Sequence, residues 1–453
     1  MAQQYGELVY LRGLGTSILV LNSSKSINDL LEKRGSNYSH RPIMTMAGEL
    51  MGTDESPVFR AYDDTWKLHR KLAHHALNPQ VIVKYIKLQE QTAAKLVRDF
   101  IADNGKIHES TRLAAGRVVI AVAYALEVKD ASDEYITHTE TTLQAITAAT
   151  MPGRYLVDFF PIMKHLPSFF AFQREGKRIK AMTAHLMDYP LGRVRQEIEQ
   201  GTAKSSFTRD LLLTYEYDTA KMSRAEFEEV VRWASGALYG AGGETTHTLL
   251  LSLVLCMAMN PTAQAKAQAE IDKVVGSERL PSLQDRDSLT YTVAVIKETM
   301  RWRPPLPLSI PRRTERDDEY QGYFIPANTI VMPNAWLLSR QDDSGYPVEE
   351  FHPERFLGEN PPVDPESYIF GFGRRICPGR YLAENSLFIA SSYIVASCVI
   401  SPALDTRGNE IPINPTFVAG LVSYPDRFVC SIKPRSASKA ALIDERIKRD
   451  EDY

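Results

Sequence analysis

Four segments of this chain hold residues whose types and spacing could do chemistry. The first is Phe370-Gly371-Phe372-Gly373-Arg374-Arg375-Ile376-Cys377-Pro378-Gly379-Arg380. It places one cysteine in a glycine-rich loop, with arginines beside it and a helical pattern after it. A thiolate needs that setting. Loop amides donate to the sulfur, cationic side chains lower the thiol pKa, and a helix N-terminus favours negative charge. A lone cysteine beside a turn reads as packing; this loop reads as a metal-ligand site. The second segment is Ser235-Gly236-Ala237-Leu238-Tyr239-Gly240-Ala241-Gly242-Gly243-Glu244-Thr245-Thr246. Its glycines cost a helix roughly 1 kcal/mol each relative to alanine. A sequence retains that cost where something approaches the backbone closely. An acid next to a hydroxyl, Glu244 and Thr245, can pass protons in a dry pocket. The plainer reading is a glycine-kinked core helix whose threonine bonds back to its own turn. The third segment pairs Glu298 and Arg301, three apart on one helix face, with Phe351-His352-Pro353-Glu354-Arg355-Phe356 downstream. The fourth is Trp66-Lys67-Leu68-His69-Arg70, where Trp66 and Arg70 share a face.

Together and in this order, the segments resemble the cytochrome P450 family. The cysteine loop matches that family's haem-binding signature, Phe-x-x-Gly-x-Arg-x-Cys-x-Gly, through Phe370, Gly373, Arg375, Cys377 and Gly379. The resemblance implies haem b as cofactor, with Cys377 as the axial ligand of the iron. A thiolate there pushes electron density toward the iron and favours O–O cleavage. It further implies that Arg375 pairs with a haem propionate and that Phe370 packs near the thiolate. Gly371, Gly379 and Ala241 are expected against the haem, and Gly373 and Gly379 where a side chain would crowd the loop or the haem. Ala-Gly-Gly-Glu-Thr resembles the family's distal helix. Thr245 would hold a water or the oxygen ligand by its hydroxyl, and Glu244 would help relay protons; Thr246 is the neighbour to be kept apart from Thr245. Phe351 to Phe356 resembles the family's Pro-Glu-Arg-Phe element. It implies a network of Glu298, Arg301 and Arg355 that locks the proximal face as structure. Trp66 and Arg70 resemble Trp-x-x-x-Arg. With Arg312 and Arg375 they supply donors for two carboxylates, and Arg313 is the weaker choice beside Arg312. His69, His74 and His75 read as ordinary helix-surface or packing residues.

The resemblance implies a monooxygenase that inserts one oxygen atom from O2 into a hydrophobic small molecule, in the setting of fungal secondary metabolism. No flavin or nicotinamide motif is present in the sequence, so the electrons are expected from NADPH-cytochrome P450 reductase, with cytochrome b5 as a further donor. Arg374 and Arg380 would steer an acidic docking face. The alternatives are a peroxide-using or rearranging haem-thiolate enzyme and a non-catalytic haem binder. Substrate contacts are expected from residues 43–60, 150–175, 236–245, 306–311 and 417–423. Ala237, Leu238, Ala241 and Leu308 would make the distal side apolar. The aromatic and apolar stretches Tyr155 to Met163 and Phe169 to Phe172 read as an access channel, a membrane contact or core.

The chain has 453 residues, 44% of them hydrophobic and 24% charged, a globular composition with ample core. Length alone suggests about three domains. The resemblance replaces this with one haem-centred domain over residues 1–453, a monomer, mainly α with a small β portion. A net charge of −3 gives no global basic field for nucleic acid. The cysteines (Cys256, Cys377, Cys398, Cys430) form no Cys-x-x-Cys pair, which argues against zinc or a disulfide framework. No run reaches the roughly 18 apolar residues of a transmembrane helix. Anchored relatives sit on the cytosolic face of the endoplasmic reticulum. Here the anchor is expected to be missing, leaving a soluble chain or one that touches a membrane through apolar loops.

These sites must be positioned by a few elements. A hairpin is expected from Leu8-Val9-Tyr10-Leu11 and Ser17 to Leu21, within a β-rich part of about residues 1–40. A helix follows from Ser26 to Lys33 with Ser26 as N-cap, then loop from Tyr38 to Asp63. Helices fill Asp64 to about Leu250, with breaks at Asn78-Pro79, Asp103-Asn104-Gly105, Pro152-Gly153, Pro161, Pro167 and Pro190. Strands return at Tyr320 to Pro326 and Thr329 to Pro333, and a last β-like pair spans about Pro415 to Ile432. The charged tail from Lys433 to Tyr453 is expected as a loose helix or disordered.

Overall fold

A computed structural model describes residues 2–214, 222–341 and 344–451. Strands β1 (Leu8–Gly13) and β2 (Thr16–Leu21) form the expected hairpin, joined by Leu14 and Gly15 at φ 50° and 76°. Positive φ at both turn residues suits the twist of a two-residue hairpin. Later in the chain come β3 (Arg312–Arg313), β4 (Asp318–Tyr320), β5 (Tyr323–Ile325) and β6 (Ile330–Pro333). The main sheet runs β1-β2-β6-β3, with β6 parallel to β2 and antiparallel to β3. In that register Arg312 lies opposite Val331. Strands β4 and β5 pair as a separate hairpin.

Helices make up most of the rest. The Trp66 helix (Asp64–Leu77) is capped by Asp63, whose carboxylate accepts from the Trp66 amide at 2.7 Å. The distal helix (Arg224–Met259) opens on a capping box formed by Ser223 and Glu226. Its residues 246–258 are buried on every side, which suits a central helix rather than an amphipathic one. It lies against Ile107–Tyr124, Ala171–Glu199 and the proximal helix (Arg380–Ser397). Among the described residues no single helix is long and apolar enough to cross a membrane. The distal helix and its successor (Pro261–Val274) have the composition as a pair, but they bend by 106° and the apolar run of the distal helix, Leu249 to Ala258, is core.

Four sequence expectations change. The helix expected from Ser26 begins at Ser24, and Ser23 is its cap, accepting from the Ser26 amide. Pro190 breaks nothing; it sits inside Ala171–Glu199. Proline cannot donate to the carbonyl four residues back, and that carbonyl, Leu186 O, accepts instead from Tyr135 Oη at 3.0 Å. The segment Cys430–Pro434 (β8) pairs with Cys398–Pro402 (β7), whereas Phe417 and Pro425 share only an isolated bridge. The tail is an ordered helix (Ala437–Glu451) whose Ile443 and Ile447 are buried in the main core.

Candidate active site

A cavity of about 1830 Å³, its open mouth included, lies between the distal helix and the cysteine loop. Cys377 and Phe370 stand on one wall, and Ala237, Leu238, Ala241 and Thr245 on the other. The loop owes its shape to glycine. Gly373 has φ 49°, and a Cβ there would lie 2.3 Å from the Leu31 carbonyl oxygen, so no other residue fits. A Cβ at Gly379 would sit 4.0 Å from the Cys377 sulfur. The Cys377 amide donates to Phe370 O at 2.7 Å, closing the loop. The sulfur lies just ahead of the proximal helix, as expected. Its ionisation is less simple. Burial pushes the thiol up, against the Gly379 amide, Arg70 and Arg380. A coordinated metal ion decides such a contest by deprotonating the thiol outright.

The expected propionate donors converge on the same cavity. Arg375 donates to Ser39 O, Pro57 O and Arg60 O at 2.8, 3.1 and 2.7 Å, and stacks over Trp66. Trp66 donates to Pro57 O at 3.1 Å. Arg70 donates to Ile376 O and Arg312 to Phe372 O. Arg41, unforeseen in the sequence, is buried beside them and donates to Val58 O, Ile310 O and Pro311 O. Burial lowers Arg375 to about 9, with Arg312 adding to it, and lowers Arg312 to about 10. Arg41 falls well below its ordinary value through burial and these two neighbours. Clustered buried cations demand anions, and Nη1 of Arg312 is buried without a partner. A ligand with a metal and two carboxylates, as the resemblance implies, fits this donor set.

On the distal wall, the Thr245 hydroxyl donates to Ala241 O at 3.0 Å. Its lone pairs remain free to accept. Burial raises Glu244, and Arg112 opposes that rise. The glycines admit mostly protein. A Cβ at Gly236 would meet Met187 Sδ at 1.8 Å, and one at Gly242 would meet Val119 Cγ2 at 3.1 Å. Gly242 also lines the cavity, whereas Gly243 has nothing within 4 Å.

Glu298, Arg301 and Arg355 meet in full burial. Glu298 accepts from Arg301 at 2.6 and 2.9 Å, from Arg355 at 3.0 Å and from the His352 amide at 2.8 Å. The guanidinia also hold the carbonyls of Pro347, Val348 and Glu350. This clamps the Phe351–Phe356 segment onto helix Thr290–Trp302.

Other expectations move. Residues 150–175 and 417–423 are absent from the cavity wall, which takes only Pro57 and Val58 from 43–60. Tyr155, Val157, Met163 and Phe172 pack instead on Met46, Ala47 and Met51. Leu308 points outward, because the chain turns at Ser309 (φ 53°), and Leu306 lines the cavity in its place. His74 and His75 are exposed, but His69 is buried on the cavity wall and held neutral, lowered to about 4 by burial. Arg374 is exposed and donates to Tyr62 Oη, and Arg380 is half-buried against Tyr381. Nothing but its position in the Trp66 helix could have marked His69.

Residues 1–428 match the family model described as Cytochrome P450. The chain is 37% identical over 452 residues to cytochrome P450 monooxygenase COX2 of Coprinopsis cinerea, covering 98% of this chain and 86% of that one. It is 35% identical to cytochrome P450 monooxygenase claR of Ampulloclitocybe clavipes, covering 99% and 84%. Among solved structures it is similar to a zebra fish cytochrome P450 with progesterone, at 25% identity and a TM-score of 0.78, covering 96% and 97%.

Proposed function

This chain belongs to the cytochrome P450 family as a monooxygenase, and we propose that it oxidises a hydrophobic small molecule with electrons from NADPH-cytochrome P450 reductase. The observation that carries this is one largely apolar cavity with Cys377 on one wall and Thr245 on the other, Glu244 preceding Thr245 on the distal helix. The family's haem iron, which we assign as haem b, supplies reductive activation of dioxygen when bound. Cys377 would hold the iron, and Arg375, Arg312, Arg70 and Trp66 the propionates, with Phe370, Gly371, Gly379 and Ala241 against the ring. Glu298, Arg301 and Arg355 keep the proximal side rigid.

Scission of dioxygen consumes two protons in a site that excludes bulk water. Thr245 spends its hydrogen on Ala241 O, so what it offers to a water in the cavity is a lone pair. Glu244, raised by burial, keeps its proton to higher pH than an ordinary carboxyl and is a suitable donor. Ala237, Leu238 and Leu306 exclude water and select an apolar substrate. The proposal makes the protein a monomer, with Arg374 and Arg380 steering the reductase and cytochrome b5 as a second donor. It also sets Leu156, Ile162 and Phe169, which are 62%, 78% and 68% exposed, against a membrane surface. Sedimentation with lipid vesicles, weakened in Ile162→Ser/Phe169→Ser, tests that contact.

The deciding experiment supplies reductase, NADPH and isotopically labelled dioxygen to the haem-loaded protein. One labelled oxygen in the product supports the reading, and a product without label from consumed NADPH sinks it. Thr245→Ala is expected to consume NADPH with little product. The red-shifted carbon monoxide band of the reduced protein is expected to vanish in Cys377→Ala.

A further inference from the structure

The cysteine loop is fastened from outside as well as from within. Inside it, the Arg375 amide donates to Phe372 O at 3.2 Å, the Ile376 amide to Gly373 O at 3.0 Å and the Cys377 amide to Phe370 O at 2.7 Å. These bonds shape the short 3-10 turn Gly373–Arg375, and Cys377 follows two residues later. They fix the form of the turn but not its place in the molecule.

Its place depends on one peptide bond, between Phe372 and Gly373. The carbonyl of that peptide, Phe372 O, accepts from Nη2 of Arg312 on β3. The amide of the same peptide, Gly373 N–H, donates to the Glu32 carboxylate. Glu32 lies in the helical turn Asn28–Lys33, 341 positions earlier in the chain. A cation thus holds the negative end of the peptide and an anion its positive end, each from a separate element. Hydrogen bonds to ionised groups are the stronger kind, and rotation of this peptide plane breaks both.

The two segments also touch directly. A Cβ on Gly373 would lie 2.3 Å from Leu31 O and 3.3 Å from Glu32 Oε2. The Phe372 ring is buried in one cluster with Leu30 and Leu31. Apolar burial is non-directional, so it seats the loop without orienting the peptide. Among the described residues the Glu32 carboxylate makes no ion pair, and its hydrogen bond goes to Gly373.

We propose that Glu32 is a positioning residue of the thiolate site: with Arg312 it clamps the Phe372–Gly373 peptide, and so sets the turn that delivers Arg375 and Cys377 to the cavity. This role rests on Cys377 as the iron ligand. Glu32 touches no reacting atom and acts through the Gly373 amide alone. The clamp needs an acceptor there rather than a charge as such. Glutamine keeps an acceptor at the same reach, and alanine removes it.

The test compares Glu32→Ala and Glu32→Gln with the wild type by two readouts. One is hydrogen–deuterium exchange of residues 371–376 followed by mass spectrometry. The other is the carbon monoxide spectrum of the reduced, haem-loaded protein. Loss of one hydrogen bond lets a loop open more often. Glu32→Ala is expected to speed exchange in 371–376 by about fivefold, and to move part of the red-shifted band to the position of haem without a thiolate. Glu32→Gln is expected to match the wild type in both. If Glu32→Ala does not fold, Glu32→Asp, whose carboxylate falls one methylene short, takes its place. Exchange at the wild-type rate in the alanine variant overturns the clamp. So does a glutamine variant as open as alanine, because Glu32 would then act as a charge. Faster exchange with an unmoved band overturns the positioning of the thiolate. A wild-type protein that never shows the red-shifted band would sink Cys377 as ligand while exchange still reads the clamp, so the two failures are distinct.

Discussion

Every side chain assigned to a propionate is already braced by a main-chain carbonyl: Arg375 by three, Trp66, Arg70 and Arg312 by one each. A guanidinium has five donors, so bracing one or two leaves others for a ligand and fixes where they point. Arg312 shows this most directly, because its Nη1 is buried without a partner. Its neighbour Arg313 donates to Arg41 O and Asn328 on a more open face. A buried charged hydrogen bond is worth roughly 1.5–3 kcal/mol, about a tenfold to hundredfold change in rate or affinity. Arg312→Ala is therefore expected to lose haem to an acceptor globin ten times faster or more, and Arg313→Ala at close to the wild-type rate. Equal rates would remove Arg312 from the propionate set. At this scale the sequence was most legible where a motif ties chemistry to a spacing, as in Phe370 to Gly379. It was silent on Arg41, because its partners Ile310 and Pro311 and its cationic neighbours Arg312 and Arg375 are far away in sequence.

Between elements, the glycines of the distal helix divide by what they face. Gly242 admits Val119 of the neighbouring helix, while Gly243 faces open space. Adding a methyl to a tight helix contact costs roughly 1–3 kcal/mol. Replacing a glycine that touches nothing returns about 1 kcal/mol of helix propensity. Gly242→Ala should lower the denaturant midpoint and Gly243→Ala should raise it; shifts of one sign would mean both face the same surroundings. The second element-level case is Pro190. Sequence punctuation marks it as a break because local rules see only the missing donor and the clash. The break does not occur because a donor arrives from another helix, Tyr135 Oη. Tyr135→Phe leaves Leu186 O buried with no partner, and is expected to destabilise by about 1–2 kcal/mol in chemical denaturation. No loss would mean that another donor reaches that carbonyl. The same limit explains β8, whose partner strand β7 follows the proximal helix, and the charged tail, whose two buried isoleucines outweigh its overall polarity.

Across the whole molecule, the family's order of motifs made the architecture readable before any contact was known, and charge burial is what remained hidden. The proximal half concentrates it. Beside the Glu298 network, Glu384 on the proximal helix is raised to about 7 by burial first, then by Glu366 and Asp364, against Arg286 and Arg380. The sign of its effect on stability follows from linkage. The folded chain holds this proton where an unfolded glutamate, near 4.5, would release it. Its stabilising contribution is thus fully present below pH 4.5 and is lost as pH rises through about 7. His69, lowered to about 4, acts the opposite way: its contribution is present above the ordinary histidine value and fades as pH falls toward 4. The two effects overlap in the wild type, so a difference between proteins is needed to separate them. Glu384→Gln removes only the first. Urea midpoints taken from pH 5 to 8 should fall toward alkaline pH more steeply in the wild type than in the variant. At pH 8 the variant should be the more stable by on the order of 1–2 kcal/mol, after allowance for solvent screening of a half-buried group. Parallel curves would mean that Glu384 ionises in the fold as readily as in the unfolded chain, and that Arg286 and Arg380 neutralise it.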